Sequence, residues 1–128
     1  MASGVYFIKF KSIVGGLGLG VIVLDDGRLH GGDTGYYYRG VYRIHRGTMV
    51  AMIEVTYYRG PRDSAFGGTI NRCTLLLKGG LNARGFELTG EMRERAGMKM
   101  TLTAERLCDL ISASNALSAV TVPHEDAP

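Results

Sequence analysis

The sequence predicts an all-β domain in which eight short antiparallel strands close into a barrel. The first observation is a period of two in the apolar residues, which places alternate side chains on opposite faces of a strand. The second is the turn-forming sequence between the apolar runs. The third is glycine, which supplies 19 of the 128 residues, about twice the usual share of ~7%. These glycines show no period of three, so we interpret them as turns and bends between strands.

Three strands are predicted before the first tyrosine cluster. In the first, Tyr6, Ile8 and Phe10 alternate with Phe7, Lys9 and Lys11. Asp25-Asp26-Gly27 is a strong signal for a tight hairpin, and it separates the second strand from the third. These strands are expected over residues 4–12, 17–25 and 28–32.

Two longer strands follow. Tyr36 and Tyr38 alternate with Tyr37 and Arg39, and a similar alternation continues through the next run until Gly60-Pro61 breaks it. The strands are expected over residues 36–43 and 48–58.

The last three strands are separated by Gly79-Gly80 and Ala96-Gly97, and they are expected over residues 70–79, 85–93 and 98–104. Short connections favour an up-and-down order. Because eight antiparallel strands in an open sheet would leave two edges exposed, we expect the sheet to close on itself. A barrel of this size is filled by side chains or holds one small ligand.

The end of the chain has a different pattern. Leu107, Leu110 and Ile111 share a helical face, which predicts one or two helical turns over 104–112. The residues from 112 onward are rich in Ser, Ala and Asn and are expected to be mobile. We therefore divide the single domain expected from this length into a barrel, 1–105, and a C-terminal tail, 106–128.

Charge and cysteine content narrow the functional classes. The net charge is +3, and the basic residues are spread along the chain without interleaved stacking aromatics, so direct nucleic-acid binding is not expected. No run approaches the ~20 apolar residues that cross a bilayer. Lys9 and Lys11 interrupt the N-terminal apolar stretch, so we expect no signal peptide. Two cysteines, Cys73 and Cys108, fit reduced thiols in the cytoplasm.

Catalytic residues are not predicted. General acid–base chemistry needs a titratable group in a cleft, and the predicted inward positions offer tyrosine hydroxyls but no Asp, Glu, His, Lys or Arg. An inward-pointing Glu54 or His30 would reverse this expectation.

The glycine-rich stretch 15–20 lacks the spacing of a phosphate-binding loop and leads into a strand. A metal site at His30 and Asp33 would need further ligands, and we expect neither a metal nor a cofactor.

Two interpretations of the barrel interior remain open. Large inward side chains can simply fill the core, or they can line a pocket for a small apolar ligand, with tyrosine hydroxyls as polar anchors and methionines as adaptable walls. The possible lining residues are Tyr6, Phe10, Tyr36, Tyr38, Tyr57, Phe86, Met98 and Met100.

The outer face offers two candidate binding surfaces. Tyr37, Met52 and Tyr58 have outward parity, and large outward apolar side chains indicate contact with another subunit or protein. Arg39, Arg43, His45 and Arg46 form a small basic patch that could complement an acidic partner.

Several short motifs resemble those of the GrlR family, small negative regulators of type III secretion gene expression. The chain opens with Gly4-Val5-Tyr6, continues through 18–23 and the Gly27 turn, and matches most sharply at Gly31-Gly32-Asp33, followed by Tyr38-Arg39-Gly40-Val41-Tyr42. The later strands resemble the family in pattern alone. The resemblance covers roughly residues 4–104.

The resemblance implies an eight-stranded lipocalin-like barrel that forms a homodimer and silences a transcriptional activator by binding it. A family member uses an acidic four-residue run in the loop after the strand that matches Tyr38–Tyr42. The corresponding place here, 43–47, is basic. Any partner is therefore expected to be acidic at that contact. We expect a cytoplasmic regulatory binding protein, with a carrier of a small apolar ligand as the alternative.

Overall fold

The computed structural model describes residues 2–13, 15–61, 71–113 and 120 of the chain. Alternation of apolar and polar residues gives rise to extended segments throughout this part. Its eight strands are β1 Gly4–Ser12, β2 Leu17–Asp25, β3 Arg28–Gly32, β4 Tyr36–His45, β5 Thr48–Tyr57, β6 Arg72–Leu81, β7 Gly85–Met92 and β8 Arg95–Cys108.

Each strand pairs with the next one in an antiparallel direction, and β8 pairs back with β1, so the sheet is a closed barrel. This confirms the predicted eight-stranded up-and-down barrel and is consistent with a lipocalin-like architecture. The hairpin predicted at Asp25-Asp26-Gly27 is present, because Asp25 pairs with Arg28. Asp26 and Gly27 have φ angles of 51° and 85°, as the two central residues of such a turn require.

The core is the interior of the barrel. Inward side chains from every strand are almost fully buried, among them Ile8, Phe10, Ile53, Leu75 and Phe86, each with 0% exposure. Their outward neighbours along the strands are mostly exposed. Burial of these side chains is what the period-two pattern specifies, since a shift of one residue would turn the apolar set outward.

The helical turn predicted over 104–112 is wrong. Residues 104–108 belong to β8, and 109–112 form no helix. Ala104 and Arg106 pair with β1 and complete the closure of the barrel, so pairing between strands overrides the local helical spacing. Leu107 and Ile111, whose spacing predicted a shared apolar face, are 56% and 83% exposed. The tail from 114 onward lies outside the described residues except for Val120.

None of the described residues forms a helix that is long and apolar enough to cross a membrane.

Candidate protein-binding face

The outer side of β4, β5 and β6 carries a row of apolar side chains. Val41, Met52 and Leu76 lie directly opposite one another in the strand register. Val50 lies on the same side of β5, two residues before Met52. The exposed fraction is 53% for Val41, 44% for Leu76 and 37% for Val50, and Met52 is half-buried. We call these four residues the apolar face; they border a shallow depression of about 650 Å³.

Basic side chains adjoin the apolar face toward the β4–β5 turn. Arg43 lies opposite Val50, and Val50 lies opposite Lys78 on β6. Arg46 lies in the turn itself, where its φ of 53° and the φ of 78° at Gly47 form a two-residue connection. We call Arg43, Arg46 and Lys78 the cationic rim.

The cationic rim is exposed to solvent. Its three members take part in none of the ion pairs found among the described residues. Together with His45 and Val50 they border a second depression of about 660 Å³. Positive charge and apolar surface are therefore continuous on this side of the barrel, and no carboxylate of the described residues forms an ion pair with the cationic rim.

The basic patch predicted from the sequence is divided in the structure. Arg43, His45 and Arg46 lie together at the β4–β5 hairpin. Arg39 lies on the opposite side of the row formed by Val41, Met52 and Leu76. Arg39 Nε is 3.6 Å from a carboxylate oxygen of Glu54, and Arg72 Nη2 is 3.8 Å from the other oxygen. Arg39 belongs to this exposed ion-pair cluster rather than to the cationic rim.

The predicted outward surface of Tyr37, Met52 and Tyr58 is also divided. The rings of Tyr37 and Tyr58 are neighbours, with centroids 6.2 Å apart, and both are nearly half exposed. The Tyr58 hydroxyl donates a 2.8 Å hydrogen bond to the carbonyl oxygen of Asp33. Met52 lies farther along the barrel in the apolar face, with the Arg39–Glu54 pair between it and the two tyrosines.

Asp33, considered above as a metal ligand, is occupied by hydrogen bonds. Its Oδ1 accepts from the backbone N–H groups of Gly35 and Tyr36, each at 2.8 Å, and its Oδ2 accepts from the Tyr38 hydroxyl. His30 is exposed on the outer side of β3. Among the residues that the structure describes, no cluster of three or more His, Cys, Asp or Glu side chains could hold a metal ion. The role of Asp33 is to fix the β3–β4 turn.

Seven of the eight possible pocket-lining residues are buried, and Tyr57 is partly buried. Aromatic rings contact one another across the interior: the Phe10 and Tyr38 centroids are 5.4 Å apart, and those of Tyr6 and Phe86 are 5.0 Å apart. These contacts show large side chains packing against each other inside the barrel. Tyr6 also borders a depression at the end of the barrel, of about 840 Å³.

Burial sets the chemistry of two inward titratable groups. Burial, and to a smaller extent the hydrogen bond to Asp33, raises the pKa of Tyr38 far above its ordinary value. Burial, and to a smaller extent the charge of Glu94, raises the pKa of the Cys73 thiol to about 12. Both groups stay protonated near neutral pH, so neither supplies a base or a thiolate nucleophile there. Glu54 is a member of the exposed ion-pair cluster and does not point into the barrel.

Four residues of this site were not singled out from the sequence: Val41, Val50, Leu76 and Lys78. Each occupies an outward position in the period-two alternation of its own strand, so the sequence already indicated that its side chain points away from the core. Their proximity depends on the register between β4, β5 and β6, which single-strand periodicity does not specify. Once Val41 pairs with Met52, and Met52 with Leu76, isolated outward residues become one surface.

Comparison of the chain with known protein families and with curated proteins gave no match to either.

Proposed function

We propose that this protein is a small cytoplasmic regulator that acts by binding another protein, a transcriptional activator, in the manner of GrlR-type negative regulators. The observation that carries this proposal is the apolar face joined to the cationic rim on one side of a closed barrel. An apolar patch bordered by polar residues is typical of a protein interaction site. The motif resemblance at 4–42 supplies the class of partner.

The character of the interior favours binding over catalysis. Among the described residues, the buried positions carry apolar side chains, tyrosines, Cys73, Ser12 and Thr74, with no buried Asp, Glu, His, Lys or Arg. The charged and exposed apolar groups that can recognise another molecule lie on the outside. An outer surface of this kind contacts macromolecules more readily than it encloses a small substrate.

A homodimer is part of this proposal, and we place its contact at Tyr37 and Tyr58. Tyr37 lies opposite Gly32, and Gly32 lies opposite Val21, which is 42% exposed. Because Gly32 has no side chain, the tyrosine and valine belong to one apolar surface, separate from the apolar face. Light scattering during size exclusion should give a dimer mass for the wild type and a monomer mass for Tyr37→Asp. A monomeric wild type would refute this part.

An affinity pull-down from the host's own lysate tests the partner proposal. We expect mass spectrometry to identify one enriched transcriptional regulator. Its capture should be lost with the Val50→Asp/Leu76→Asp variant on the apolar face. The matched control is Leu17→Asp/Leu19→Asp on β2, whose leucines are 58% and 50% exposed, and it should capture the regulator normally. Equal capture by both variants, or no regulator in any sample, would contradict the proposal.

A small-ligand carrier is the second candidate, and the depression at the end of the barrel favours it. Apolar Ile44 and Leu81 border that depression together with Tyr6 and Arg106, so an apolar ligand with an anionic end would find matching groups. Native mass spectrometry of the protein purified from its host should then show an added mass that is lost on denaturation. A spectrum of unliganded protein alone would count against the carrier function.

A further inference from the structure

We infer that the occupant of the apolar face is an amphipathic acidic helix of the partner protein, with its apolar side chains on Val41, Met52 and Leu76 and its carboxylates on the cationic rim. This inference rests on the proposed function, because it specifies which segment of the partner is recognised.

The width of the apolar face fits one helix. Neighbouring strands are ~4.8 Å apart, so the three strands β4, β5 and β6 span roughly 10 Å between the outer two. An α-helix with its side chains is about 10–12 Å across. The row Val41–Met52–Leu76 runs across this width in direct register. A single helix lying along the strands would therefore cover all three side chains.

The spacing of apolar and basic residues sets the pattern of the ligand. Arg43, Val50 and Lys78 form the row two residues away from the Val41 row, which is about 7 Å along a strand. At 1.5 Å per residue, that distance corresponds to about four or five helical residues. The fitting helix carries apolar residues on one face, followed one turn later by carboxylates on the same face.

Charge complementarity selects an acidic ligand over a basic one. Arg43 and Lys78 lie on either side of Val50, and Arg46 lies beyond them at the turn. In the strand register, Glu91 lies opposite Leu76 and Glu54 lies opposite Arg39, so neither is in the row of Val50. Glu54 is also held by Arg39 and Arg72. A carboxylate arriving near Val50 meets two cations, one on each neighbouring strand.

Fluorescence anisotropy with a synthetic peptide tests the inference. The probe is an amphipathic helix of about 16 residues, long enough to be helical, with leucines at spacings of three and four and glutamates one turn later on the same face. We expect it to bind the full chain, with affinity that falls as salt rises. A second peptide with lysine in place of each glutamate should bind at least about tenfold more weakly.

Charge-reversal variants locate the contact. Arg43→Glu/Lys78→Glu should weaken binding of the glutamate peptide at least about tenfold. Lys9→Glu/Lys11→Glu, which makes the same change in net charge on the outer side of β1, should leave it unchanged. Equal weakening by both variants, equal binding of both peptides, or no binding of either would overturn the inference. So would a dimer that Val50→Asp/Leu76→Asp converts to a monomer, since a second copy would then occupy the face.

The two proposals fail in different ways. A regulator captured from lysate through Val50 and Leu76, but insensitive to Arg43→Glu/Lys78→Glu, overturns the acidic-helix inference and leaves the proposed function standing. Specific binding of the glutamate peptide together with a pull-down that yields no regulator supports the inference and contradicts the proposed function.

Discussion

Asp33 and Tyr38 show how single residues hold this barrel together. The Asp33 carboxylate accepts two backbone hydrogen bonds in the β3–β4 turn and a third from the Tyr38 hydroxyl. Tyr38 is only 1% exposed, so its hydroxyl would be costly to leave unpaired. Asp33 of the Gly-Gly-Asp motif and Tyr38 thus form a structural unit that ties the β3–β4 turn to the core.

Removing the Tyr38 hydroxyl should destabilise the fold. Tyr38→Phe leaves one oxygen of Asp33 without that donor, and we expect the free energy of unfolding to fall by about 1–3 kcal/mol. Urea denaturation measures this loss. Tyr37→Phe removes a hydroxyl from an exposed ring and serves as the control, with a change within about 0.5 kcal/mol. Equal losses in the two variants would show that the Asp33 contact contributes nothing specific.

Glu94 gives the protein an acid-sensitive contact. Its carboxylate accepts a 2.8 Å hydrogen bond from the backbone N–H of Thr74, a buried residue of β6. Partial desolvation pushes the pKa of Glu94 upward, but the hydrogen bonds to its carboxylate and the charge of Arg93 outweigh that effect and lower the pKa below its ordinary value of 4.5. The ionised form is therefore the one that the fold stabilises.

The sign of the pH dependence follows from the lowered pKa. The contribution of Glu94 to stability is complete above its ordinary pKa and is lost as the pH falls through the lower value in the folded protein. Near neutral pH, Glu94→Gln should cost about 0.5–1 kcal/mol, a small value because the side chain is exposed. Urea denaturation at about pH 7 and about pH 3 should show this difference shrinking in acid. A cost for Glu94→Gln that is the same at both pH values would contradict the assignment.

At the scale of the strands, close backbone contacts explain part of the glycine content. A Cβ atom on Gly79 of β6 would lie 1.8 Å from the carbonyl oxygen of Glu87 on β7, whereas a Cβ on Gly80 meets no atom within 4 Å. The two glycines are adjacent in sequence but have different surroundings. Gly79 is required where β6 and β7 approach each other closely, and Gly80 is not required for space.

This contrast makes a matched pair of variants. We expect Gly79→Ala to lower the free energy of unfolding by about 1–3 kcal/mol, because the strands must move apart. Gly80→Ala, the same substitution one residue later, should change it by less than about 0.5 kcal/mol. Thermal or urea unfolding of the two variants decides between them. Similar stabilities would mean that the close approach of β6 to β7 is not maintained in solution.

At the scale of the whole molecule, Arg106 secures the seam where β8 meets β1. Its guanidinium donates to the Tyr6 hydroxyl at 3.1 Å and to Asp109 at 2.5 Å, and it lies over the Tyr6 ring. A Cβ on Gly4 would lie 2.7 Å from the guanidinium, so the glycine leaves room for it. The hydrogen bond to Asp109 is the largest cause of a raised pKa for Arg106.

Loss of Arg106 should loosen the closure of the barrel locally. In Arg106→Ala, backbone amides of 4–6 and 104–108 should exchange with deuterium faster than in the wild type, while those of β4 and β5 should be unchanged. Arg95→Ala, at the other end of β8, should leave exchange at 4–6 and 104–108 as it is in the wild type. Unchanged exchange at 4–6 in Arg106→Ala would show that strand pairing alone holds the seam.

Much of this architecture could be predicted because period two and turn residues are local signals. These signals predicted β1, β2 and β3 at the observed bounds, and Asp26-Gly27 predicted the hairpin between β2 and β3. The end of β8 could not be predicted, since residues 104–108 become strand through pairing with β1, at the other end of the chain. For the same reason the sequence yielded Arg43, His45 and Arg46 but not Leu76 or Lys78, which join them through register.

Site-specific photo-crosslinking in the host cell tests the central claim, that the outer side of β4–β6 binds a transcriptional regulator. A photoreactive phenylalanine analogue in place of Leu76 should crosslink to that regulator, identified by mass spectrometry of the adduct. The same analogue in place of Leu19, a comparably exposed leucine on β2, should not. Crosslinks to a regulator from position 76 alone would support the account. A regulator crosslinked equally from both positions, or from position 19 alone, or from neither, would contradict it.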